Sequence, residues 1–224
     1  MTDGDHQPER LSAIPLFPLP NVVLFPRAVL PLHIFEERYK EMTADVLNGD
    51  RRIAMALLKP GWEKNYYQAP AVEPVVCVGT ILSHEKLADG KYNFLLQGTI
   101  RARILREHRN YSYRTADMER LEETPVMEID LSGERERMKE LFDSGSFPGD
   151  AGRQFLQLLS SPLTTSAIAD IAAFSFIEDI ILKQSLLADV DVRKRVSRTL
   201  EALESSRQSL AVSAMRSVQE PGMN

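Results

Sequence analysis

Residues Ile14–Glu36 read IPLFPLPNVVLFPRAVLPLHIFE, an apolar run broken by Pro15, Pro18, Pro20, Pro26 and Pro31. Each proline removes a backbone donor and fixes φ, so neither a helix nor a fully paired central strand could hold them all. Ile14, Leu16, Phe17, Val22, Val23, Leu24, Phe25, Val29, Leu30, Leu32 and Ile34 are too apolar for a surface loop. The stretch therefore predicts short, kinked, buried strands that turn corners, as in a small barrel.

Around this stretch lies a chain of 224 residues, 43% apolar and 26% charged. That composition belongs to a globular protein long enough to build a real core. No apolar run approaches the roughly 20 residues of a membrane-spanning helix. The opening MTDGDHQPER lacks the apolar segment of a signal peptide. A single cysteine, Cys77, excludes an internal disulfide framework. These features lead to the expectation of a cytoplasmic protein with no membrane partner. The formal charge of −5 argues against a general nucleic-acid binder, which carries a basic excess.

Further along, Tyr39, Met42, Val46 and Leu47 recur at helical spacing, so a helix is predicted over Glu36–Asn48, stopped by Gly49. Ile53–Leu58 and Val75–Leu82 read as buried strands, with Gly79 marking a bulge or a close approach. Asp89-Gly90 predicts a two-residue hairpin turn, Gly98 a bend, and Thr99–Leu105 a further strand. Tyr111–Glu122 reads as a polar edge strand. Beyond Leu131 the pattern is helical, with apolar faces in 138–142, 155–159, 168–172 and 179–187. A long last helix is expected after Asp191, with Val192, Val196, Leu200 and Leu203 facing inward. The boundaries are a disordered 1–10, a β-rich domain over 11–124, a helical lobe over 130–215 and a frayed 216–224.

Several of these segments resemble one family. P-L-F-P-L, V-L-F-P and L-P-L-H-I-F-E-E-R-Y in the opening, C-V-G-T-I at Cys77–Ile81, D-G-K-Y-N-F-L-L-Q-G at Asp89–Gly98 and R-A-R-I at Arg101–Ile104 are similar to the Lon protease N-terminal, substrate-binding domain family. K-Q-S-L-L at Lys183–Leu187 and D-V-R-K-R at Asp191–Arg195 continue the likeness into the helices. Pro60-Gly61-Trp62-Glu63 and Tyr66 look like its stand-alone bacterial members, which lack the ATPase and protease domains. The resemblance implies an α+β fold: a PUA-like β pseudo-barrel followed by a C-terminal helical lobe. It also implies non-catalytic recognition of unfolded or extended polypeptide, linked to a protease or chaperone. Binding of RNA or a small molecule by a PUA-like barrel is the alternative.

The chemistry-bearing residues agree with a binding role. Gly90-Lys91 is followed by Tyr92, so no G-x-x-x-x-G-K-[ST] phosphate loop is present. His6, His33, His84 and His108 are scattered without metal-ligand spacing, so neither a metal nor a cofactor is expected. Cys77 among valines reads as a small hydrophobe. Two candidate contact sets remain. Trp62, Tyr66 and Tyr67 stand in KPGWEKNYYQAPAVEP, a loop that either folds back as a lid or presents aromatic anchors to a polypeptide. Arg101 and Arg103 share a strand face that could meet phosphates, although Glu107, Asp117, Glu119, Glu122 and Glu123 balance them. The oligomeric state has no signature in the chain.

Overall fold

The structure is a computed structural model that describes residues 8–219 apart from 110, 146 and 148, with the side chains of 65, 67 and 208–219 outside the description. Most of the expected disordered start and the last residues of the tail therefore lie outside the described residues. Two compact units emerge, one built from 1–123 with Asp179–Val190 and the other from Thr124–Glu178 with 191–224.

In the first unit, six strands form one sheet: β1 Arg10–Leu19, β2 Val29–Ile34, β3 Arg52–Leu57, β4 Val75–Lys86, β5 Tyr92–His108 and β6 Arg114–Arg120. Their order is β2-β5-β4-β3-β1-β6, and a further β5–β6 pairing closes the last five into a barrel. Closure corrects the expectation for Tyr111–Glu122. β6 is paired on both flanks, to β1 and to β5, and is not an edge. The long β5 makes this possible, because its first half pairs with β2 and its second half with β6.

The prolines of the opening stretch are absorbed by partner exchange. β1 pairs antiparallel with β6 as far as Leu16, then parallel with β3 from Leu16 onward. Pro15 is therefore paired only toward β6 and Pro18 only toward β3, so neither residue must supply bonds on both flanks. Leu16, at the exchange, is fully buried. The predicted corner is real, although β1 is longer than a short kinked strand.

Gly98 borders a bulge in β5, where Thr99 is the extra residue between the pairs Val78–Ile100 and Gly79–Gly98. It lies inside β5, and a Cβ there would stand 2.0 Å from the Phe25 carbonyl oxygen, so only glycine allows the Val22–Ala28 loop to approach. Gly79, the partner of Gly98 on β4, marks a close approach: a Cβ there would stand 2.8 Å from the Gln97 carbonyl oxygen. The β4–β5 connection spans Leu87–Lys91, longer than the two-residue turn predicted, and Gly90 takes φ +80° within it. After β2, helix α1 (Glu37–Leu47) buries Tyr39, Met42 and Val46.

The second unit holds α2 (Ser132–Asp143), α3 (Asp150–Leu159), α4 (Thr165–Phe176) and, after the excursion described next, α6 (Val192–Gln219). Its core gathers Met138, Phe142, Phe155, Ile168, Val196 and Leu200. Buried beside them is an ion pair, Arg195 Nε to Asp170 Oδ1 at 3.2 Å.

The helical run expected over 130–215 is interrupted. α5 (Ile180–Ala188), capped by Asp179 Oδ1 on the amides of Ile181 and Leu182, groups with the barrel. Polar anchoring explains this placement. Gln184 Nε2 donates to the Val75 carbonyl at 2.9 Å, and Arg101 Nε donates to the Leu187 carbonyl at 3.0 Å.

Candidate functional site

Two regions of the barrel unit carry residues that could contact a partner. The first is the aromatic loop. Gly61 at φ +86° opens a 3-10 helix over Trp62–Gln68, and Ala69 at φ +58° ends it. Trp62 and Tyr66 are half-buried and pack on the barrel core, their rings 5.7 Å apart edge to face. Tyr66 Oη donates to Glu36 Oε1 at 2.8 Å, while Glu36 Oε2 accepts from Arg38 Nε at 3.0 Å. The Arg38 guanidinium lies 4.5 Å from the Tyr39 ring centre and 5.1 Å from that of Tyr66.

Burial, reinforced by the Glu36 carboxylate, raises the Tyr66 phenol above its ordinary range. Burial alone is the leading cause that pushes Tyr39 up to about 12. Both phenols are protonated donors at neutral pH. Trp62 and Tyr66 are thus held against the barrel by packing and by the Tyr66–Glu36 hydrogen bond. The side chain of Tyr67 lies outside the described residues.

The second region is a groove that strand register assembles and that no single segment announces. Where β2, β5 and β4 lie side by side, Pro31, Leu95 and Ser83 are cross-strand neighbours, and His33, Asn93 and Glu85 form the next row. These residues line an open cavity of about 440 Å3, within the range of ligand clefts. Exposed apolar residues occur on or next to the same strands: Leu95, in the lining, and Val29 are each 39% exposed, Leu82 50% and Phe35 61%. His33 Nδ1 lies 2.7 Å from Asn93 Oδ1, and the His33 ring stacks 6.2 Å from that of Phe35. One signal was available in the sequence, because Phe94-Leu95-Leu96 breaks strand alternation and places a leucine on the outer face.

The backbone beside this groove offers little. Gly98 N–H donates to the Ala28 carbonyl at 2.9 Å, which sets the ladder so that 28, 30, 32 and 34 exchange bonds with β5. Val29, Pro31 and His33 then direct their amide groups to the open side, and Pro31 has no N–H to give. Proline at the centre of an edge strand blunts strand addition, so the groove is an apolar side-chain surface first.

Arg101 and Arg103 are not brought together on an accessible face. Arg101 is 3% exposed, with Nη1 donating to Glu123 Oε1 at 2.7 Å and Nε to the Leu187 carbonyl. Its partners hold it as an internal tie for α5, which corrects the expectation that it could touch phosphates. Arg103 alone is exposed. Cys77 is fully buried, its thiol 3.6 Å from the Val78 carbonyl. Among the described residues, no group of three or more His, Cys, Asp or Glu could hold a metal ion, and no helix is long and apolar enough to cross a membrane.

The same barrel occurs in solved structures. The N-terminal domain of the Mycobacterium avium complex Lon protease superposes with a TM-score of 0.67 at 14% identity, covering 86% of this chain and 98% of that one. A Lon N-terminal domain protein from Xanthomonas campestris gives 0.60 at 20% identity, covering 85% and 98%. At those identities the likeness concerns the fold. By sequence, the Lon protease of Desulfosudis oleivorans is 23% identical over 197 residues, covering 86% of this chain and 24% of that protein. The Lon protease of Lawsonia intracellularis is 34% identical over 126 residues, covering 54% and 15%. This chain therefore spans about a quarter or less of the length of these relatives, and its match lies in their substrate-binding domain, not in their ATPase or protease domains. The pattern of the ATP-dependent protease La (LON) substrate-binding domain covers residues 13–205, more than half of the chain, and the chain belongs to that family.

Proposed function

We propose that this chain is a non-catalytic module that recognises unfolded or extended polypeptide and serves proteolysis carried out by a protease domain. The observation that carries this reading is the outward groove on β2, β5 and β4. An open cavity of about 440 Å3 lined in part by Pro31, Leu32, Phe94 and Leu95, with exposed Val29, Leu82 and Phe35 on or next to the same strands, suits the apolar side chains of an extended segment. Such contacts tolerate many sequences, as recognition of misfolded chains requires. The family's description as substrate-binding supports the same class of ligand. Trp62 and Tyr66 act in this reading by holding the lid and the α1 entrance in place.

Isothermal titration with a reduced, unfolded polypeptide tests the proposal. Leu95→Glu, at an exposed position, is expected to weaken binding about tenfold while leaving the thermal midpoint near wild type. W62A/Y66A is expected to lower stability first. If the double variant loses binding at unchanged stability while L95E binds normally, the site is the aromatic loop instead. Binding of RNA in preference to polypeptide would favour the alternative reading of a PUA-like barrel.

A further inference from the structure

Main-chain contact with an extended segment usually comes from adding it as a strand to a sheet edge. The edge strand β2 resists this, because Pro31 at its centre has no N–H to give. Holding a main chain in the groove therefore falls to side chains. His33 on β2 and Asn93 on β5 are placed for it, as cross-strand neighbours that both line the cavity.

The contact between them fixes their roles. His33 Nδ1 lies 2.7 Å from Asn93 Oδ1. A carboxamide oxygen can only accept, so Nδ1 carries the proton and Nε2 of the neutral ring is left as an acceptor. Asn93 Nδ2 keeps both of its N–H groups. Neither it nor His33 Nε2 makes a hydrogen bond among the described residues. An inverted Asn93 amide would exchange the two roles and leave the same combination, one donor beside one acceptor.

An extended residue is the complement of that combination, because its own N–H and C=O point to the same side of the chain. Charge selects in the same direction. Glu85 completes the row beyond Asn93, is exposed and makes no ion pair among the described residues, so it repels a carboxylate and tolerates an uncharged main chain. The Pro31–Leu95 row lies two residues along the sheet, about 7 Å away, within reach of a neighbouring apolar side chain of the same segment.

We propose that His33 and Asn93 form a main-chain clamp in the polypeptide groove, accepting the N–H and donating to the C=O of one extended residue whose apolar neighbour rests on Pro31 and Leu95. The inference rests on the polypeptide reading above. It explains how one groove can hold many sequences, since every residue except proline carries both clamped groups. The full-length chain and its His33→Phe/Asn93→Leu double variant are titrated calorimetrically with a short apolar peptide blocked at both ends. A matching series replaces each amide N–H of that peptide, one at a time, by an ester oxygen.

One ester should bind the wild type about tenfold more weakly than the parent peptide, the scale of a lost hydrogen bond that leaves its partner unsatisfied. The double variant should bind the parent at least about tenfold more weakly than the wild type does and lose nothing further to any ester, at an unchanged thermal midpoint. An ester penalty equal in both proteins, or absent from the wild type, overturns the clamp. The polypeptide reading survives that result if Leu95→Glu still weakens binding of the parent peptide. Failure of the wild type to bind either the parent peptide or a reduced, unfolded polypeptide overturns both.

Discussion

Asp117 shows how one side chain can hold a strained strand. Ala13 in β1 takes φ +51°, where the pairing with β6 shifts register between Leu11 and Ile14. Asp117 Oδ1 accepts the Ala13 N–H at 2.9 Å, and Asp117 Oδ2 lies 2.9 Å from His108 Nε2. The Ala13 amide first, and His108 second, hold the Asp117 carboxyl below its ordinary value. A depressed pKa in the folded state contributes stability that is complete above the unfolded value, near 4, and is lost as pH falls through the folded value. D117N should therefore lower the urea midpoint at pH 7. The gap from wild type should narrow as pH falls below the ordinary Asp value of about 4; a gap that stays constant through that fall would contradict the assignment. Gly98 is a second such position. G98A drives a methyl group into the Phe25 carbonyl and should cost about 3 kcal/mol in chemical denaturation.

At the scale of elements, β2 and α5 behave against their local appearance. β2 lies outside the barrel yet is kept from adding further strands by Pro31 at its centre. Pro31→Val restores an outward N–H in a β-branched residue. The variant is expected to self-associate in a concentration-dependent manner by light scattering, where the wild type shows less. α5 reads from sequence like its helical neighbours, but Gln184 and Arg101 tie it to the barrel. R101M removes the bonds to Leu187 and Glu123 and should cost about 2–4 kcal/mol in the barrel unit. RNA affinity should not change, because the guanidinium is internal; a loss of RNA binding at unchanged stability would restore the phosphate-contact reading.

For the whole molecule, the contribution of residues distant in sequence to the barrel unit has a direct consequence. A fragment of residues 1–125 omits Asp179–Val190, leaving Arg101 without the Leu187 carbonyl and uncovering the Val75 region. Such a fragment should keep a β-rich circular-dichroism spectrum but unfold at distinctly lower urea than the full chain, and adding back residues 179–190 should raise its midpoint. A mostly helical spectrum would contradict the barrel itself. In the other unit, D170A strips Arg195 of its buried carboxylate and should cost about 3–5 kcal/mol. Asp170→Asn should cost less, since the amide oxygen can still accept.

Much of this architecture was legible along the chain. Apolar residues between closely spaced prolines implied kinked strands that turn corners, and apolar period located the helices, the last of them starting at Asp191, whose carboxylate accepts the Lys194 amide. Local geometry determines such features, because a missing N–H, a capping oxygen or an apolar stripe acts within a few residues. The aromatic loop stood out for the same reason, but its local composition did not show the reach of Tyr66 to Glu36. Tertiary structure alone closed β6 onto β5, moved α5 to the barrel, turned Arg101 inward and set Pro31, Leu95 and Ser83 side by side. Those outcomes depend on the register between strands far apart in sequence, and a register one residue different would turn the other face of each strand to solvent.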